Sequence, residues 1–242
     1  MRRGFLLGLL GLVALASCSV KEDRSDCPCW LTVIADDGVS VSGWFGSITL
    51  FSAHMGRIED YLVPRGSIEL VASYGNFITP VGEQMDRLFA QRQNVNTWGE
   101  TAKASVELCK NFATVEVDFK DEDDGHTGYD LLVSGTVCGA DSRTLEPIEG
   151  VFRCVPIPKT GSGERGYEFR VPRQKDKSLI LTLSYLGNVV ETIDLGYLIA
   201  KSGFDWSAES LGDVSIIADI PAMTFLVTIK EWEGPVSFSI TI

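Results

Sequence analysis

The last seven residues alternate without a break: Val236, Phe238, Ile240 and Ile242 against Ser237, Ser239 and Thr241. A period of two puts each set on one face of an extended strand, which is the pattern of a half-buried β-strand and not of an amphipathic helix. The same period runs through Ala113 to Phe119, with Val115, Val117 and Phe119 together, and through Met223 to Ile229, with Met223, Phe225, Val227 and Ile229 together. Further strands are expected over 30–36, 46–53, 67–73, 129–138, 150–157, 166–171, 178–186 and 214–220. Gly and Pro punctuate the gaps between them, and this spacing argues for an all-β sandwich architecture rather than α/β.

Two short stretches carry helical spacing instead. Met85, Leu88 and Phe89 fall at i, i+3, i+4 within 82–92, and Leu195, Leu198 and Ile199 do so within 194–202. Gly203 is placed to end the second helix. Both read as connections across a sandwich. The polar run Lys120-Asp121-Glu122-Asp123-Asp124-Gly125-His126 follows a clean strand and is the natural boundary. It divides the chain into an N-terminal β-sandwich domain at 27–119 and a C-terminal one at 126–242.

The N-terminus reads as targeting rather than fold. Arg2 and Arg3 precede an apolar run from Phe5 to Leu15, which is too short to span a bilayer comfortably. The run ends in Leu15-Ala16-Ser17-Cys18, which resembles the bacterial lipobox. Residues 1–17 are therefore expected to be a signal peptide and Cys18 the lipidated residue. Several acyl chains, at roughly 0.8 kcal/mol per buried CH₂, make such an attachment effectively stable. Residues 18–26 are polar and charged and read as a tether. Their Lys21-Glu22-Asp23 core resembles the acidic export signal that sends lipoproteins of the Bacteroidetes to the outer face of the outer membrane.

Removing residues 1–17 takes away Arg2 and Arg3 and leaves 19 basic residues against 33 acidic ones. The basic residues are scattered, so neither nucleic acid nor an acidic lipid surface is an expected partner without a local basic patch. The densest basic group, Arg173 to Lys177, reads as a charged hairpin turn. Five cysteines remain beyond Cys18, an odd number that leaves at least one thiol unpaired. Cys138 and Cys154 lie in neighbouring expected strands and are a candidate disulfide. Cys27 or Cys29 with Cys109 is a second.

Nothing in the chain forms a catalytic signature. G-x-S-x-G, H-E-x-x-H, the Walker loop and G-x-G-x-x-G are all absent. His54 sits in an expected turn and His126 in the acidic run, neither held beside a nucleophile. Gly125 follows Asp123 too early for a calcium loop, so the acidic run reads as solvated charge. Glu231 and Glu233 flank Trp232, but an acidic β protein offers many such pairs. No enzyme activity, metal, cofactor or small-molecule substrate is expected. Trp30, Trp44, Trp98, Trp206 and Trp232 can stack on sugars or pack in a sandwich.

The segment from Cys18 through Cys27-Pro28-Cys29-Trp30-Leu31 resembles the FimB-type fimbrial anchor lipoproteins of the Bacteroidales, in which a lipidated Cys and charged tether lead into a Cys-Pro and the first strand. Val190 to Ile199 looks like that family's strand and short helix. Leu211 to Val214, Asp219-Ile220 and Phe225 to Glu233 look like its final hairpin. The chain is short for the family, mainly in its N-terminal half. The resemblance implies two tandem transthyretin-like β-sandwich domains. It also implies an outer-membrane lipoprotein that anchors or caps a fimbria and limits its length, with fimbrial subunits as partners through strand interactions. A surface glycan-binding lipoprotein and a stalk or tip subunit are the alternatives. Strand 236–242 is expected to be the last strand of its own domain.

Overall fold

The computed structural model describes residues 27–120, 129–159, 166–231 and 234–241. Two β-sandwiches follow one another along the chain. The first contains β1 (Cys29–Ile34), β2 (Ser40–Phe45), β3 (Ile48–His54), β4 (Ile58–Val63), β5 (Ser67–Tyr74), β6 (Phe89–Asn96), β7 (Thr101–Ser105) and β8 (Cys109–Lys110). Its sheets have the orders β4-β1-β7 and β3-β2-β5-β6-β8. Inward-facing Leu31, Val33, Val41, Ile68 and Leu70 fill the space between them.

The second contains β9 (Phe112–Phe119), β10 (Asp130–Ala140), β11 (Pro147–Cys154), β12 (Ile157–Pro158), β13 (Gly166–Pro172), β14 (Ile180–Tyr185) and β15 (Asn188–Ile193). After β15 come α1 (Leu195–Lys201), β16 (Asp213–Asp219), β17 (Thr224–Glu231) and β18 (Gly234–Thr241). Its sheets run β11-β10-β14-β15 and β12-β13-β9-β16-β17-β18. Phe152, Phe169, Leu181, Leu195 and Phe225 are fully or almost fully buried between them. The two-sandwich, all-β expectation is borne out, and the strands anticipated from alternation form.

The boundary between the sandwiches lies elsewhere than expected. β9 is central in the six-stranded sheet, paired antiparallel with β13 and parallel with β16. It belongs to the second sandwich, so the division falls at Asn111 rather than at the acidic run. Asn111 is buried; its N–H donates to the Leu88 carbonyl (2.9 Å) and its Oδ1 accepts from Arg173 Nε (2.8 Å). A charged run signals an exposed connection, but it does not say which sheet the preceding strand joins. Most of that run, together with His126, lies outside the described residues.

One helix of the two forms. Asp194 caps α1 by accepting from the Tyr197 N–H (2.8 Å), and Gly203 follows it with φ 83°. Leu195, Leu198 and Ile199 point into the second core. Residues 82–92 are instead an irregular segment that runs into β6. The Met85 N–H goes to the Arg170 carbonyl (3.1 Å), not to a carbonyl four residues back. Met85 and Leu88 are buried against Phe112 and Ala140, from the second sandwich. Their helical spacing serves a linking segment pressed between two domains. Arg173 to Lys177 is also not a hairpin turn: it carries the chain from β13 in one sheet to β14 in the other.

Candidate surface for anchoring and assembly

The junction makes the two sandwiches one unit. Val71 and Ser73 on the outer face of β5 are buried, and the β10–β11 hairpin reaches that face of the first sandwich through Arg143. Thr79 N–H donates to the Cys138 carbonyl (2.8 Å), Ala140 N–H to Phe77 (2.9 Å) and Gly82 N–H to Arg153 (2.8 Å). At the hairpin tip Arg143 donates to Glu69 and to the Gly46 carbonyl (both 2.6 Å) and lies over the Trp44 ring. That hydrogen bond, with a second from Arg92, holds the Glu69 carboxyl below the usual carboxylate range despite partial burial.

Between the sandwiches runs a cleft of about 440 Å³, lined in part by Arg92, Cys109, Arg173, Trp206 and Glu209. Its most buried cation is already committed. Arg173 donates to Asn111 Oδ1 and to the carbonyls of Trp206 and Ala208. Burial pushes the Cys109 thiol up, and Glu209 adds to this, so it is a poor nucleophile. The cleft is a structural seam. No group of three or more His, Cys, Asp or Glu that could hold a metal occurs among the described residues.

The chain enters the described structure at one end of the first sandwich. β1, the first described strand, is the central strand of its sheet, antiparallel to β4 and parallel to β7. Cys29, Leu31 and Val33 face the core, while Trp30 faces outward opposite Leu62. The Trp30 N–H donates to the Glu100 carbonyl (2.9 Å), two residues beyond Trp98. Trp30 is 55% exposed and Trp98 68%. The β4–β5 turn closes the same end, and there Arg65 Nε and Nη2 are buried with no hydrogen-bond partner.

A second apolar surface lies on the β14–β15 hairpin. Its turn places Leu186 (φ 51°) and Gly187 (φ 80°) in the left-handed region, the two-residue type I′ arrangement. Leu186 is 80% exposed, and Val189 and Val190 on edge strand β15 are also exposed. The outermost strand of the large sheet, β18, pairs with β17 in its own domain, from Thr224↔Thr241 to Glu231↔Gly234.

The expected site residues are scattered by this arrangement. Cys18 lies outside the described residues, as does Trp232. The Cys138–Cys154 disulfide does not form; both cysteines are free. Cys154 sits opposite Val133 and faces the core, whereas Cys138 is five residues further along β10 on the other face, beside Gly150. At about 3.3 Å per residue the separation far exceeds what a disulfide tolerates. Cys29 and Cys109 lie towards opposite ends of the first sandwich and are also free, as is Cys27. His54 shares a hydrogen bond with Ser40 (2.9 Å). Trp44 lies beneath Arg143, and Trp206 packs edge-on against Phe204. The Arg65 end and the Leu186 hairpin had not been singled out in the sequence, because isolated apolar or basic residues between strands carry no periodic signal.

No protein-family model matches the chain, and no curated protein does. Solved structures do. A candidate polysaccharide-binding protein from Bacteroides thetaiotaomicron superposes with a TM-score of 0.59 at 15% identity, over 85% of this chain and 99% of that one. A candidate adhesin from Bacteroides ovatus gives 0.56 at 11% identity, over 88% and 96%. The fimbrial anchor protein Mfa2 from Porphyromonas gingivalis gives 0.52 at 12% identity, over 85% and 98%. The double sandwich of this chain is thus the fold of Bacteroidales adhesin-type and fimbrial proteins, matched over nearly their whole length.

Proposed function

We propose that this chain is a lipoprotein of the outer membrane, facing outward, that anchors or caps a fimbria and helps control its attachment and length. The observation that carries the reading is the placement of β1. A tether beginning at Cys18 leads directly into the central strand of a sandwich whose fold is shared with a fimbrial anchor. Tension on the lipid would run along β1 and load two hydrogen-bonded ladders together. Among the described residues no helix is long and apolar enough to cross a membrane, and the lipid on Cys18 is the attachment in this reading. The role is one of holding, with fimbrial subunits as partners and no catalytic step.

The β14–β15 hairpin is the surface assigned to the next subunit. Its exposed Leu186, Val189 and Val190 offer apolar contact beside an edge strand. Deleting the gene is expected to give shed or abnormally long fimbriae; normal attachment and length would refute the anchor role. Affinity capture from native membranes should recover fimbrial subunits with the wild-type protein. Capture should fall with Leu186→Asn plus Val189→Thr, which keep the turn and strand but remove apolar surface. Unchanged capture would remove the hairpin from the interface.

A further inference from the structure

We infer that the end of the first sandwich bearing Trp30, Leu62 and Trp98 rests on the lipid surface beside the anchor, so that the protein stands on the membrane by a protein face as well as by its lipid. The inference rests on the proposed lipidation of Cys18.

Its first support is the chemistry of that end. Trp30 and Leu62 are cross-strand neighbours on the outer face of the three-stranded sheet, and Trp98 lies in the loop that delivers Glu100 to Trp30. Across the end, Phe45 covers Gly66 and pairs with Ile48, and both are exposed. Thr97 ties the elements together by donating to the Gly66 carbonyl through its N–H (2.8 Å) and to the Pro64 carbonyl through its hydroxyl (2.9 Å). Arg65, in the turn between them, keeps its guanidinium Nε and Nη2 buried, so the surface that this end presents is apolar and aromatic. Tryptophan is enriched where one side of a ring meets hydrocarbon and the other meets headgroups.

The second support is reach. Only residues 18–26 separate the lipidated position from Cys27, and an extended chain of that length spans about 30 Å. β1 begins at this end, so it is the end held closest to the bilayer. Tethering converts docking into an intramolecular event at millimolar-scale effective concentration. A few half-buried aromatic side chains therefore suffice, despite the acidic charge of the chain as a whole.

The test reconstitutes the mature lipidated protein in phosphatidylethanolamine–phosphatidylglycerol vesicles whose acyl chains are brominated near the headgroup. Tryptophan emission should be quenched, and about half or more of the quenchable signal should vanish in Trp30→Phe/Trp98→Phe. Carbonate washing reports the lipid anchor separately. Protein that stays in the membrane fraction with unquenched emission overturns the docking and leaves the anchor standing. Quenching that persists undiminished in the double variant puts another face on the lipid and also overturns it. So does protection of the two tryptophans from aqueous iodide by an added polysaccharide or fimbrial subunit, without bromolipid quenching. Protein released by the wash removes the anchor and the docking together.

Discussion

Arg143 Nη2 lies 2.6 Å from Glu69 Oε2, and the bond joins the tip of a hairpin in the second sandwich to the outer face of the first. The two residues are far apart in sequence, and each sits on a different core. With the Gly46 carbonyl as a second acceptor, Arg143 fixes how far the hairpin lies across its neighbour. Arg143→Ala is expected to lower stability by about 1–2 kcal/mol, toward the low end for a charged hydrogen bond because Arg92 still engages Glu69 and solvent screens the pair. Urea denaturation measures it, and a separated first transition would show that the domains uncouple.

Acid should weaken the same junction. The hydrogen bond from Arg143 lowers the Glu69 pKa in the folded protein, so its stabilisation is fully present above the ordinary carboxylate value. It is lost as pH falls through that value and on through the lowered one. Glu116 behaves alike: burial alone would raise its pKa, but hydrogen bonds from Lys230 and Lys159 outweigh burial and lower it. Urea midpoints should therefore fall below about pH 4.5, and Glu69→Gln should flatten part of that slope. A midpoint that rises on acidification would contradict both assignments.

Gly139 admits no side chain. A Cβ there would overlap the Phe77 carbonyl oxygen, where the hairpin crosses the segment after β5. Gly139→Ala should cost roughly 1–3 kcal/mol through this backbone clash. Gly187→Asn is the control, since Gly187 has open space and a left-handed φ that Asn tolerates. Thermal melts of the two variants should differ clearly.

The cysteines should report the register of β10 with β11. Peptide mapping without reduction is expected to recover Cys138 and Cys154 separately alkylated; a peptide linking them would overturn the pairing described. Burial pushes the Cys154 thiol up to about 12, so alkylation of the native protein should reach Cys138 first. Cys154→Ala should cost about 1 kcal/mol for the atom lost from the core, and Cys138→Ala far less.

Much of the fold was legible because alternation is a local property. β9 and β17 each show which residues share a face, and burial against a second sheet follows; β18 was legible as a strand, paired with β17. The capped helix α1 was legible for the same reason, through Leu195, Leu198, Ile199 and Gly203. β4 was not: Ile58 and Leu62 face solvent while Glu59 and Tyr61 turn inward, so its apolar residues mark the wrong side. Met85 and Leu88 misled in the opposite sense, since burial between domains needs no regular period.

What the sequence determined by itself was therefore the architecture: strands from period two, and two sandwiches from their number and spacing. Only the tertiary structure decided the partners. It put β9 in the second sheet, turned Cys138 and Cys154 to opposite faces, laid Arg143 on Glu69, and gathered Trp30, Trp98 and Arg65 at the end where the chain enters. The physical reason is that a strand's faces are set by its own residues, whereas its neighbours are set by packing between segments distant in sequence.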